Sequence, residues 1–403
     1  MTDDAYSTIV YKTIGDLKLH FDLYHPRLET HPQSAKVPAV IYFHGGGLTV
    51  GNRRSWFPYW LCKRVNATGI AFVCADYRLI PSGSTTGYEI LQDIKDLFAF
   101  LPAKDFNTSG VVSYQIDRDA MGVAGTSSGG LCAYLAAIHA YPRPRAVLSM
   151  YGMGGNFFTS HYITLKTAPF FRGRELLDPS NFTDHIFPSS ATSSPIADSP
   201  LEYHPATSPT PGYPANPRMF LARLYLQLGI FLDYYTGAHE PSLSATLRTR
   251  APPIPIDEFT LKHNILFPQM NVTGAWPPTL FVHGAIDTAV PADESRHLHY
   301  SLLDAGVNSE LVVIDGMEHS FDYAPDSEEK LGTLFDRIAI FFGDKLNANI
   351  GPPIGAVDVA SFAERYTEVY RAYREPMYSG TMKFGDLRGA TILQVGRHET
   401  YAV

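Results

Sequence analysis

The feature that most constrains this chain is Gly125-Thr126-Ser127-Ser128-Gly129, set between the apolar run Met121–Gly125 and a helix-compatible stretch ending at His139. A strand that turns into a helix within so few residues needs small side chains at the corner. The serine at that corner is forced into strained backbone, with its hydroxyl exposed above the sheet. The Ser128 amide, at the helix N-terminus, then faces any negative charge developing on a bound carbonyl oxygen. A Gly/Ser-rich loop can also simply join a strand to a helix, and the pentapeptide alone does not decide between these readings.

The surrounding chain repeats a strand–helix rhythm. Ser7–Tyr24 alternates as two antiparallel strands turning at Gly15-Asp16. Short apolar runs at Val37–Phe43, Ile70–Tyr77, Arg145–Tyr151, Thr279–Gly284 and Glu310–Gly316 read as buried strands, and Trp56–Thr68, Tyr88–Leu101 and Leu331–Leu346 as helices. This alternation predicts an α/β fold with a mainly parallel central sheet flanked by helices, its functional residues at the carboxyl ends of the strands. Between Gly152 and Asn271 the rhythm fails. Pro, Ser, Thr and aromatics dominate there, and only Met219–Tyr235 reads as a helix. The expected organisation is a core at 1–151 and 272–346, a cap or lid insertion at 152–271, and a C-terminal extension at 347–403. The extension carries a linker at Pro352-Pro353, contains a short helix at Phe362–Tyr373 and has no assigned role; docking on the core and self-association as a homodimer both stay open.

Three further segments carry chemistry. His44-Gly45-Gly46-Gly47 closes an earlier strand, where glycines let the backbone present amide hydrogens without side-chain obstruction. Gly45 and Gly46 are the expected donors to an oxyanion; Gly47 reads equally as a turn, and His44 as a brace for the loop. Asp287 follows the strand Thr279–Gly284, and His319 follows Glu310–Gly316. Ser127, Asp287 and His319 thus occur in the order nucleophile, acid, base, each just beyond a separate strand. Asp293, Asp315 and Glu318 are rival acids near the same loops.

Composition narrows the partners. A formal charge of −8, from 40 acidic and 32 basic residues with no long run of either sign, argues against nucleic acid. No apolar run reaches the roughly 18 residues of a membrane-spanning helix. Met1–Ala5 is acidic and leads into no apolar stretch, so no secretory leader is expected, and the cytoplasm is the expected location. Cys62, Cys74 and Cys132 lie in apolar stretches and read as buried reduced thiols. The sequons at Asn66, Asn107, Asn181 and Asn271 then have no meaning. No ligand cluster with zinc-like spacing stands out, and the chemistry calls for no metal or organic cofactor.

Taken together, His44–Gly47 with Gly51, Asp76-Tyr77-Arg78-Leu79 before Pro81, Gly125–Gly130, Pro278–Asp287 and Gly316–Phe321 resemble the hormone-sensitive-lipase-like esterases and carboxylesterases of the α/β-hydrolase superfamily. The resemblance implies a mainly parallel sheet of about eight strands with a cap. It also implies the triad Ser127, Asp287 and His319, and oxyanion amides from Gly45, Gly46 and Ser128. Thr126 stands where many members carry an acid and Ser128 where alanine is usual, and the insertion and the tail fall outside the likeness. The expected reaction is cleavage of a carboxylic ester of a small to medium apolar molecule through an acyl-enzyme on Ser127. Alternatives are a biosynthetic thioesterase, lactonase, deacetylase or acyltransferase, a non-hydrolytic lyase or cyclase, and a receptor that reuses the fold.

Overall fold

The computed structural model describes residues 6–26, 35–107, 113–205, 207–209, 213–249 and 261–346, together with the backbone of a short strand at Thr391–Leu393. The helix expected at Phe362–Tyr373 lies outside the described residues.

Short runs rich in β-branched and aromatic residues pair into one sheet. Its strands are β1 (Tyr6–Ile14), β2 (Leu17–Tyr24), β3 (Ala35–Phe43), β4 (Ala71–Ala75), β5 (Asp105–Asn107), β6 (Ser113–Thr126), β7 (Val147–Met150), β8 (Thr279–Gly284), β9 (Ser309–Ile314) and β10 (Thr391–Leu393). Their order is β1-β2-β4-β3-β6-β7-β8-β9-β10, with β5 on the start of β6. Strands β4, β3, β6, β7, β8 and β9 are mutually parallel; β1, β2, β5 and β10 pair antiparallel. The expected mainly parallel α/β sheet is therefore present, with ten strands among the described residues rather than about eight. The surplus is β5 and β10, each too short to leave a periodic signal. The turn at Gly15, with φ of 56°, joins β1 to β2 as expected.

Burial explains why the central strands read as continuous apolar runs. Every residue of β4, β7 and β8 is buried, because helices cover both faces. Along β3, Ala39, Ile41 and Phe43 enter one core while Val40 and Tyr42 enter the other. The first core packs under α2 (Gly87–Phe100) and α3 (Ser128–His139), the second under α1 (Tyr59–Ala67) and a long helix at Ser327–Leu346. A capping box starts α2: Thr86 Oγ1 accepts from the Tyr88 amide, and Glu89 Oε2 accepts from the Thr86 amide. The three cysteines are buried and form no disulfide, as expected.

Between β7 and β8 lie short elements, among them α4 (Ser160–Ile163), α5 (Leu221–Leu228), α6 (Phe231–Thr236) and α7 (Leu243–Arg248). The single helix expected at Met219–Tyr235 is instead broken. Gly229 adopts φ 63°, ψ 39° and ends α5 with a left-handed cap before α6 begins. The apolar periodicity continues across this glycine because both helices face the same core, which hides the break from a pattern reading. After β8, α8 (Asp293–Asp304) leads to β9, and α9 (Ser327–Leu346) follows. Among the described residues, no helix is long and apolar enough to cross a membrane.

Candidate active site

Ser127 sits at the junction of β6 and α3 with φ 54° and ψ −121°, a conformation that costs an L-residue on the order of 1–3 kcal/mol. Packing holds it there. The Ser127 amide donates to Met150 O at 3.0 Å, and its own carbonyl accepts from the Gly130 and Met153 amides, both at 3.0 Å. The flanking glycines are required by close approach: a Cβ on Gly125 would lie 2.0 Å from Gly129 O, and one on Gly129 would lie 2.0 Å from Phe43 O. Thr126 points the other way, its Oγ1 2.7 Å from the Tyr42 hydroxyl.

The turns after β8 and β9 bring Asp287 and His319 together. His319 Nδ1 lies 2.6 Å from Asp287 Oδ2, which leaves Nε2 as the unengaged ring nitrogen of that pair. The other carboxylate oxygen accepts the Ala289 and Val290 amides, each at 2.9 Å. Burial alone would raise the pKa of Asp287. The charge of His319 and the hydrogen bonds from His283 and His319 outweigh it and hold the carboxyl well below the usual carboxylate range.

The rival acids have other work. Asp293 is paired with Arg296 at 2.8 Å, and Asp315 is exposed. Glu318 ties the two turns together, accepting from Thr288 N and the His319 amide at 2.8 Å and from Thr288 Oγ1 at 2.6 Å.

At the end of β3, Gly46 has φ 108° and Gly47 φ 63°, so the chain folds back toward Ser127. A Cβ on Gly46 would meet Val50 O at 2.0 Å, and one on Gly47 would meet the Ala222 side chain at 2.2 Å. Among the described residues, no turn or loop carbonyl takes the Gly45, Gly46 or Ser128 amide. His44 is fully buried, stacks on Tyr77 at 4.4 Å and donates from Nδ1 to Gly45 O at 2.7 Å. Burial drops its pKa to about 4, so the ring is neutral.

Ser127, His319, Gly45, Gly46 and Gly47 all line one cavity of about 830 Å³, and much of its opposite wall comes from the insertion, including Phe171, Met219, Leu226 and Phe231. Arg218 fastens that wall, donating to Thr49 O at 2.8 Å, Pro81 O at 2.9 Å and Ile80 O at 3.0 Å. Among the described residues, no group of three His, Cys, Asp or Glu side chains is arranged to hold a metal ion.

Sequence reasoning missed four residues around the site. His283 Nε2 lies 3.2 Å from Asp287 Oδ2 and 2.9 Å from Val290 O. Tyr151, with φ 39°, sets its ring edge-on to His319 at 4.6 Å and donates to Asp322 Oδ1 at 2.5 Å. Trp60 Nε1 donates to the other Asp322 oxygen at 3.2 Å, and burial pushes the Asp322 carboxyl up to about 6. Only His283 left a signal, four residues before Asp287 in the same short stretch.

This architecture matches an α/β-hydrolase superfamily protein from Enterococcus faecalis at TM-score 0.54 and 18% identity, over 85% of this chain and 99% of that one. The chain has an α/β-hydrolase fold. Residues 21–147 of this chain match the BD-FAE family model. The chain is 26% identical over 146 residues to the probable carboxylesterase M8 of a Phoma species, covering 35% of this chain and 45% of that protein. It is also 28% identical over 346 residues to the non-reducing polyketide synthase ausA of Emericella nidulans, across 78% of this chain. It spans only 13% of the length of that synthase. These matches bear out the expected likeness to esterases of the α/β-hydrolase superfamily, hydrolases of ester bonds.

Proposed function

We propose that this hydrolase cleaves carboxylic esters of small to medium apolar molecules through an acyl-enzyme on Ser127. The observation that carries the reading is the Asp287–His319 pair at 2.6 Å, with His319 and Ser127 on one cavity of about 830 Å³. His319 Nε2 takes the Ser127 proton as Oγ attacks the ester carbonyl, and returns it to the departing alcohol. Asp287 fixes the tautomer by accepting from Nδ1. The Gly45, Gly46 and Ser128 amides receive the oxyanion, with His44 bracing the loop and Gly47 admitting its turn against Ala222. Water activated by His319 then releases the acid. Residues 152–271 act as the cap, and three buried cysteines with no disulfide among them suit a reducing cytoplasm.

The test is fluorophosphonate labelling with peptide mapping, beside turnover of aryl esters. An adduct on Ser127, and loss of nearly all turnover in a folded Ser127→Ala variant, are expected. Full activity in that variant refutes the assignment.

A second reading is favoured by one observation: the likeness to polyketide synthases runs across 78% of the chain, insertion included, whereas the carboxylesterase match covers 35%. The same acyl-enzyme would then release or transfer a polyketide acyl group from a thioester. An acyl N-acetylcysteamine thioester turned over faster than the matched oxygen ester selects this reading.

A further inference from the structure

The cavity wall carries charge that ester hydrolysis does not use. Arg172, Arg174 and Arg223 line it against one carboxylate, Glu175, an excess of two positive charges before any histidine is counted, in a chain of net charge −8. Arg223 is the buried member, 7% exposed. Its guanidinium lies 5.7 Å from the centre of the Phe220 ring, which packs on Tyr213 at 5.4 Å, and Tyr213 lines the same cavity.

Comparable arginines elsewhere in the fold are neutralised or saturated. Arg78 meets Asp93 at 2.8 Å, and Arg53 meets Asp22 at 2.9 Å and Asp76 at 2.8 Å. Arg218 donates to three carbonyls. Arg223 differs: among the described residues no carboxylate ion-pairs with it, and its charged neighbour is a second cation, Arg174. Burial first, and Arg174 second, pull its pKa below the usual guanidinium value. A desolvated cation without a counter-charge is costly, and one that faces a cavity can receive its counter-charge from a ligand.

We propose that the natural substrate carries a carboxylate remote from the scissile bond, received by Arg223 with Tyr213 and Arg174 on the insertion side of the cavity. This deepens the hydrolase reading and rests on it. A single buried cation suits a monoanion, and the planar guanidinium accepts a carboxylate through two parallel hydrogen bonds. A phosphate would offer the same oxygens, so the experiment separates the two anions.

The experiment compares para-nitrophenyl hemiesters of succinic, glutaric and adipic acids with their methyl-capped neutral counterparts, on wild type, R223M, R174M and R223K. The ratio of kcat/KM for acidic over neutral esters is independent of the fraction of protein that folds. The expected ratio for the best chain length is about tenfold or more in wild type, falling toward one in R223M and R174M and partly kept in R223K. Binding of monomethyl adipate to Ser127→Ala, by calorimetry, needs no turnover and is expected to vanish when R223M is added. A wild-type ratio near one at all three lengths, with binding insensitive to Arg223, overturns the proposal. So does inorganic phosphate competing more strongly than acetate. Binding that depends on Arg223, with no release of nitrophenol from either ester, supports the anion site and overturns the hydrolase reading instead.

Discussion

His319 and Asp287 are joined at 2.6 Å through Nδ1 and Oδ2, although they stand 32 residues apart and on turns after different strands. The carboxylate also receives two amides and lies 3.2 Å from His283, so its geometry does not depend on His319. Asp287→Asn is therefore expected to keep the fold and lose the tautomer control. On the proposed mechanism, kcat/KM falls on the order of a thousandfold or more, with little change in melting temperature. Steady-state kinetics on an aryl ester checks this; a loss under tenfold removes Asp287 from the triad.

Gly46→Ala tests the oxyanion loop. With φ at 108° and Val50 O 2.0 Å from the new Cβ, the loop must shift, and the amide moves with it. Loss of one such donor lowers kcat on the order of a hundredfold. Unchanged kcat in this variant would show that the Gly46 amide does not meet the oxyanion.

Arg218→Met removes three hydrogen bonds between the insertion and the loops after β3 and β4. Hydrogen bonds from a charged donor are each worth about 1.5–3 kcal/mol, and a shared donor counts less than the sum, so a loss of roughly 2–4 kcal/mol is expected. Denaturant unfolding measures it, and a shift below about 0.5 kcal/mol contradicts it.

Glu294 sets a pH dependence of stability. It is buried, accepts from Gly154 N and the Tyr162 hydroxyl at 2.6 Å, and burial pushes its pKa up to about 8 from 4.5. Between those values the folded chain binds more protons than the unfolded one, so stability falls as pH rises through that window. Asp76 and Asp322, each raised to about 6 by burial, act in the same direction lower in the range. Glu294→Gln should flatten the fall in melting temperature between about pH 6 and 8 relative to wild type. Identical slopes in the two proteins would rule out Glu294 as the titrating group.

Ser127, Asp287, His319 and the glycine loop were legible in the sequence because each follows an apolar run and carries its own local signature. The two-sided burial that makes β4, β7 and β8 read as strands also marks where those strands end, and the site lies at those ends. Local residue types, spaced by period, were sufficient for the α/β fold and for the candidate chemical groups. The insertion was not legible in this way: its short helices and turns are set by long-range contacts such as Arg218 to Ile80 and Pro81, and Gly229 splits what its periodicity suggests is one helix. Only the tertiary structure decided that His283 meets Asp287, that Tyr151 flanks His319, and that Arg223 faces the same cavity as Ser127 with no acid among the described residues to ion-pair with it. Proximity of this kind arises when distant turns close on one cavity, and a pattern confined to neighbouring residues does not record it.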